Sequence, residues 1–248
     1  MMKKYLILSD LHGNISAWNA VMDDISGESF DGILLLGDNI DYGMRSNEIL
    51  SELKKKAEGE WSGKILVNLW GNHEKLAVER DLEHLSTDRG RAMANYTREH
   101  LSEGSFAYMD QEMNQEAREE LTLEGLNILA VHGSLEDPYW KGISPDNLRG
   151  TYSAYDLVLS GHTHCSQCFT VFYSVEDPEM RNKKAVTFIN PGSVGQPRNQ
   201  NPFAQYAVLT LPLKQVELRA VPYDIEYEQS LFPDTLDPFY KNRLTRGV

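Results

Sequence analysis

The sequence predicts an α/β fold: a four-layer α/β/β/α sandwich of two mixed sheets flanked by helices, with a helical insertion over a site at the strand ends. Three observations point there. Short, wholly apolar runs recur at residues 5–8, 33–36, 65–69, 128–131 and 157–159, the pattern of strands buried on both faces. Helical periodicity fills the gaps after the first two runs, as in βα units with parallel strands. Further strand patterns at 168–174, 185–189, 206–211 and 215–221 follow the fifth run and predict a second sheet of mostly antiparallel character.

Each element has its own reason. After the first strand, Trp18, Val21, Met22 and Ile25 share one face of a helix predicted over 16–25. After the second, Ile49, Leu50 and Leu53 do the same over 47–57. The third strand leads into a polar stretch, 74–115, far longer than a simple connection. Within it, 89–100 and 102–110 read as separate helices, the second capped by Ser102. Two readings of this insertion stay open: a helical layer burying Met93, Tyr96, Leu101 and Phe106, or a lid whose Tyr96, Phe106 and Tyr108 meet the substrate. The acidic stretch 110–124 reads most simply as a solvated helix face. Leu121-Thr122-Leu123 and 126–131 flank Glu124-Gly125 as a hairpin. In the tail, 223–248, Pro233 and Pro238 divide any helix into short pieces. No linker, repeat or low-complexity tract interrupts the chain, so 1–248 is expected to be one domain.

Composition narrows the function classes. With 37 acidic and 24 basic residues the net charge is −13, which disfavours a nucleic-acid polymer as the main ligand. No apolar run reaches the roughly 18 residues of a membrane span, and Met1-Met2-Lys3-Lys4 precedes a strand too short for a signal segment. The expectation is a soluble cytoplasmic protein that does not engage a membrane; oligomeric state is not legible. Cys165 and Cys168 form a Cys-x-x-Cys, but with no second pair and no helix opening there they read as small side chains on a strand rather than a redox or metal pair.

The five apolar runs share one further property: a small or turn residue and then a metal-type ligand follow each. The first leads to Asp10 and His12, the second to Asp38, the third to Asn72 and His73, the fourth to His132, and the fifth to His162 and His164. One histidine at a strand end is usually a satisfied polar residue. Here five of the seven histidines fall at the same structural place. Residues just past the carboxyl ends of strands converge on the crevice where open α/β sheets bind ligands. Four histidines, two aspartates and one asparagine gathered there amount to a binuclear metal site, whose main use is phosphoryl transfer. Imidazole and carboxylate without thiolate favour two divalent ions of Mn, Fe, Zn or Co. Because a His-x-His on a strand would point to opposite faces, His162 and His164 must lie on a loop beyond it.

The segments Asp10-Leu11-His12, Gly37-Asp38 with Asp41, Gly71-Asn72-His73-Glu74, His132-Gly133 and Gly161-His162-Thr163-His164 resemble the calcineurin-like metallophosphoesterases in order and spacing. Asp41-Tyr42-Gly43 and residues 190–198 look like its small prokaryotic branch near the diadenosine-tetraphosphatase-like members. The resemblance implies that Asp10, His12 and His164 hold one metal, that Asn72, His132 and His162 hold the other, and that Asp38 bridges them. It implies attack by a hydroxide held between the metals, with His73 as general acid. Glu74 is then the candidate to keep His73 protonated, and Asp41 the candidate to orient a ligand histidine. Arg198 is the candidate to grip a substrate phosphate. Serine/threonine phosphatases of the superfamily carry Arg where this chain has Tyr42, which argues against a phosphoprotein substrate. The expected activity is hydrolysis of a small soluble phosphate ester, a diester or nucleotide in preference. The runners-up are a phosphomonoesterase and a non-catalytic protein-binding scaffold, like the retromer member of this fold; the intact Asn72 and His73 argue against the scaffold.

Overall fold

The structure is a computed structural model and describes residues 2–80 and 82–248. Two mixed five-stranded sheets with flanking helices form the α/β sandwich that the sequence predicts. The chain runs β1 (Lys3–Leu8), α1 (Ile15–Asp24), β2 (Gly32–Leu35), α2 (Ser46–Glu58) and β3 (Ile65–Asn68). It continues through α3 (Asn72–Glu79), α4 (Asp88–His100), α5 (Glu103–Glu112), β4 (Arg118–Leu123), β5 (Leu126–Val131) and β6 (Leu157–Ser160). β7 (Gln167–Ser174), β8 (Lys183–Asn190), β9 (Ala204–Leu211), β10 (Gln215–Val221), α6 (Ile225–Ser230) and α7 (Phe239–Arg246) complete it.

The strand order corrects one expectation. The first sheet is β10-β9-β1-β2-β3 and the second is β4-β5-β6-β8-β7. The two last strands, expected in the second sheet, return to the first, with β9 antiparallel against β1 from Lys3↔Leu211 to Ile7↔Ala207. The second sheet is less antiparallel than expected, since β5, β6 and β8 run parallel and only its edge strands β4 and β7 oppose them. Apolar runs look alike in either sheet, so composition could not assign them. Consequently the five ligand-bearing strands are divided: β1, β2 and β3 belong to one sheet, β5 and β6 to the other.

Strict alternation explains why those runs are apolar throughout. On β1, Tyr5 and Ile7 face the inter-sheet core with Leu34, Val67, Ile128, Leu157 and Leu209. Leu6 and Leu8 face the opposite layer with Trp18, Val21, Leu50 and Leu53 from α1 and α2. The outer face of the second sheet carries Leu129, Val131, Val158 and Phe188. It is covered not by a regular helix but by the irregular segment 132–156 through Ile143, Tyr152 and Tyr155.

The 74–115 insertion splits into separate tasks. Ser102 caps α5 by accepting from Ser105 N–H, as expected. Tyr108 is buried against the first-sheet core and receives a hydrogen bond from Asn68, while Phe106 packs on the same core. Tyr96 stacks on His100 of its own helix. These three rings therefore serve structure. The stretch 110–124 is not one helix: α5 ends at Glu112 and β4 begins at Arg118, turning into β5 through Glu124 and Gly125, both with positive φ. The tail forms two short helices separated around Pro233 and Pro238, and Tyr240 and Leu244 of α7 pack on Met93 of α4 and Phe232.

Candidate metal centre

Strand ends from both sheets place their side chains in one buried crevice. Asp10, His12, Asp38 and His164 form one group that could hold a metal ion, and Asp38, His132 and His162 form another, the ligand atoms of each lying within 4.8 Å of one another. Asn72 joins the second group: its Oδ1 is 3.2 Å from His132 Nε2 and 2.9 Å from His162 Nδ1. His162 and His164 lie beyond the end of β6, on a loop, each with positive φ.

The backbone is bent to make this convergence. Asp10, His12, Asp38, His162 and His164 all adopt left-handed φ, between 45° and 64°. That region costs an L-residue on the order of 1 kcal/mol, and it collects at functional sites where surrounding structure overrides the cost. Close backbone approach holds the turns in place. A Cβ at Gly195 would lie 1.9 Å from the Leu11 carbonyl oxygen, and one at Gly71 would lie 2.1 Å from Asp38 Oδ1. Neither position admits a side chain without displacing a proposed ligand.

The hydrogen bonds fix which ring atoms face inward. Nδ1 of His12 donates to the Ile40 carbonyl at 2.9 Å, that of His132 to Leu36 at 2.8 Å, and that of His164 to Gln196 at 2.6 Å. With those protons placed on Nδ1, each Nε2 presents a lone pair to the crevice. The Nε2 atoms of His12 and His164 then stand 3.1 Å apart, and His164 Nε2 is 3.1 Å from Asp10 Oδ1. His132 Nε2 is 3.2 Å from Asp38 Oδ2. Asp10 Oδ1 and Asp38 Oδ2 are buried with no hydrogen-bond partner. Acceptors crowded in this way repel one another unless cations lie among them, so the donor set fits divalent metal ions. Burial, reinforced by His164, holds His12 well below the usual histidine range; burial and Arg198 do the same to His164. Neutral imidazole is the ligating form. Burial would raise Asp38 and lower His132, but the pair outweighs it: the histidines, His132 foremost, hold Asp38 well below the usual carboxylate range, and Asp38 pushes His132 up to about 9, so an ion held there would displace the His132 proton.

Beyond the ligands, the structure redistributes three roles. Glu74 does not contact the His73 ring. Its carboxylate accepts from the backbone N–H groups of Asn39, Asp38 and Gly71 at 2.7, 3.0 and 2.7 Å, clamping the bend after β2 to the start of α3. Burial and neighbouring Asp38 push it up to about 7. The expectation that Glu74 keeps His73 protonated is therefore corrected: a glutamate at the third position of a helix reaches back to its N-terminal backbone. Asp41 is the partner instead, with Oδ2 2.6 Å from His73 Nδ1, and so it orients His73 rather than a ligand histidine. Thr97 of α4 donates to the other oxygen of Asp41 at 2.6 Å. Burial would lower His73, but Tyr42, Asp38 and Asp41 outweigh it and hold the imidazole well above its usual range. Arg198 sits beside the crevice with its guanidinium 5.6 Å from the Tyr42 ring centre, and its Nε is buried without a partner.

Sequence reasoning missed Ser9, whose hydroxyl donates to Asp10 Oδ2, and Thr97. It used Tyr42 only as a departure from the serine/threonine phosphatases and gave it no place in the site, where its ring lies 4.4 Å from His73 and 4.7 Å from His12. Tyr42 was legible from its place next to Asp41. Thr97 carries no local signal, because it arrives from a separate helix. Both cysteines are free; Cys168 is exposed and the Cys165 thiol donates to the Arg198 carbonyl at 3.5 Å. Among the described residues no helix is long and apolar enough to cross a membrane.

The sequence profile of the calcineurin-like phosphoesterase superfamily domain matches residues 2–213. The uncharacterized protein MJ0912 of Methanocaldococcus jannaschii is 25% identical over 231 residues, covering 89% of this chain and 88% of that one. The crystal structure of a metallophosphoesterase from Sphaerobacter thermophilus is 25% identical, superposes with a TM-score of 0.75, and is covered over 100% of both chains. A hypothetical protein, PH1004, from Pyrococcus horikoshii OT3 shares the fold with a TM-score of 0.79 at 19% identity, over 99% of this chain and 98% of that one. With a superfamily profile spanning most of the chain and a buried aspartate–histidine cluster suited to metal, the protein belongs to the calcineurin-like phosphoesterases and is a metal-dependent hydrolase.

Proposed function

We propose that the protein is a binuclear phosphoesterase that hydrolyses small soluble phosphate esters, diesters or nucleotides in preference. One observation carries this reading: two groups of inward-facing donors share a single carboxylate, Asp38, whose Oδ1 accepts from the His73 backbone N–H while its Oδ2, in reach of His132, is buried with no hydrogen-bond partner. In this reading Asp10, His12 and His164 hold one ion, Asn72, His132 and His162 the other, and Asp38 both. Two such dications, of Mn, Fe, Zn or Co, supply Lewis-acid neutralisation of the phosphoryl oxygens and lower the pKa of water toward neutrality.

The remaining steps belong to the chain. The leaving alkoxide needs a proton, and His73 is the group placed to give it. Its Nδ1 is fixed by Asp41, so Nε2 faces the crevice, 3.9 Å from Asp38 Oδ2. Thr97 holds Asp41 and thereby the ring plane of His73. Arg198 offers its guanidinium to a substrate phosphate. The intact ligand set and His73–Asp41 pair favour catalysis over a scaffold.

The test is a substrate panel for the purified protein loaded in turn with Mn, Fe, Zn and Co. Mononucleotides, cyclic nucleotides, dinucleoside polyphosphates, sugar phosphates and nitrophenyl mono- and diesters are incubated with it, alongside Asp38→Asn. Metal-dependent turnover that Asp38→Asn abolishes is expected. No turnover of any ester under any metal would overturn the reading.

A further inference from the structure

Two arginines beside the crevice lack the side-chain carboxylate partners that Arg45, Arg91 and Arg219 have. Arg45 and Arg219 are paired with Glu228 and Glu28. By contrast, among the described residues neither Arg198 nor Arg243 has an aspartate or glutamate within ion-pairing distance; the one anion beside Arg243 is the carboxylate of Val248. Arg243 lies on α7 and is only 9% exposed, an unusual position for a guanidinium with no aspartate or glutamate beside it. Its Nε donates to the carboxylate of the last residue, Val248, and among the described residues its terminal nitrogens have no acceptor. They are not sealed in, since the buried unpartnered atoms include Arg198 Nε but none from Arg243.

The two guanidiniums meet at one ring. Their central carbons lie 5.6 and 5.9 Å from the centre of Tyr42, whose ring is 4.4 Å from His73 and 4.7 Å from His12. Tyr240 of α7 stacks on Tyr42 at 4.7 Å and fixes the helix against the site. Arg89 of α4 adds a third positive group, 3.9 Å from the Phe239 ring on which Arg243 also lies. Burial and the neighbouring Arg198 bring Arg243 down to about 10, still charged at neutral pH. Three guanidiniums that share a single chain-terminal carboxylate, in a chain of net charge −13, form a site suited to a polyanion.

We propose that Arg198 and Arg243 form an anion subsite at the edge of the metal crevice, and that it binds a second phosphate next to the one that reacts. This rests on the phosphoesterase reading and narrows its substrate class to esters with two neighbouring phosphates, such as nucleoside di- or polyphosphates and bisphosphates. The C-terminal helix then selects substrate.

Calorimetric titration of orthophosphate and of pyrophosphate into the metal-loaded protein, with divalent ion in excess, tests this without relying on turnover. Wild type should bind pyrophosphate at least about tenfold more tightly than orthophosphate, the scale of one added charge-assisted contact. Arg243→Gln should bring that ratio to within about twofold of one, and Arg243→Lys should retain part of it. Arg246→Gln removes a charge from the exposed side of the same helix and should leave the ratio as in wild type. If Arg243→Gln does not fold, Arg243→Lys and Arg198→Gln carry the comparison, each lowering the ratio. A wild-type ratio near one, or a ratio that survives loss of Arg243, overturns the proposal. A normal ratio in a protein that hydrolyses no ester would instead overturn the function and leave the subsite standing.

Discussion

Replacing Asp41 with Asn isolates one charge at the site. The two side chains have nearly the same shape, and the amide oxygen of Asn can still accept from His73 Nδ1. The Thr97 hydroxyl, which donates to Asp41 Oδ1 at 2.6 Å, can rotate to accept from the new amide nitrogen. What disappears is the negative charge 2.6 Å from the imidazole. A hydrogen bond to a charged partner contributes about 1.5–3 kcal/mol, against about 1 kcal/mol for a neutral one, so protonated His73 loses about 1–2 kcal/mol. For an alkyl phosphate, whose departure needs the proton, kcat should fall by about 5–30-fold. Removing the acid outright in His73→Ala should cost about 10²–10⁴-fold with metal content unchanged. Both losses should shrink for nitrophenyl phosphate, whose leaving group needs little protonation. The double variant should be no slower than His73→Ala, because Asp41 acts through His73. Steady-state kinetics of the four proteins on both esters, with metal analysis of each, decides it. Fully additive losses, or equal losses on both esters, would refute the assignment of His73 as acid and Asp41 as its anchor.

Asp38→Asn should lose most of the bound metal and nearly all activity, since both donor groups use this carboxylate; retention of two ions per chain by elemental analysis would contradict it. Gly195→Ala places a Cβ 1.9 Å from the Leu11 carbonyl oxygen and must push the Asp10–His12 turn outward, so activity and metal affinity should fall together by tenfold or more, roughly. Glu74→Gln sets an amide N–H₂ against backbone donors and should lower unfolding free energy by about 1–3 kcal/mol in urea titrations; unchanged stability would show that the clamp is dispensable. Chelation should lower the melting temperature, because ions that bind only the folded state at 100 times their Kd stabilise it by about 2.7 kcal/mol.

The ligand set could be read from the sequence because strand-end chemistry repeats. Asp10, Asp38, Asn72, His132 and His162 each follow an apolar run by a few residues, and the structure brings all of them together. Four helices, α1, α2, α4 and α5, were legible to within one or two residues by spacing alone, as Trp18 with Val21, or Leu50 with Leu53, defines a face; α3, a short polar helix at the site, was not. Sheet membership was not, since β9 finds β1 from a distance that no local pattern encodes. Glu74 was misplaced because its neighbour in sequence, His73, is not what its side chain reaches. Arg243 had a faint signal, a cation between Tyr240 and Leu244 on the buried side of α7, but nothing in the sequence says which surface that side covers.

The return of β9 to β1 sets the order in which the molecule can be built. As the chain leaves the ribosome, β1 can pair with β2 early, yet its other edge stays open until residues 204–211 emerge. Closing that separation of roughly 200 residues costs about 4–5 kcal/mol of chain entropy before any pairing offsets it. Throughout that interval the nascent first sheet presents the unpaired edge of Leu6 and Ile7, a template for wrong partners. The last proposed ligand, His164, emerges about 40 residues earlier than β9. Metal can therefore be captured while the sheet edge is still bare, and pinning β1 to β6 at that stage would hold the edge in place for the strand that completes it.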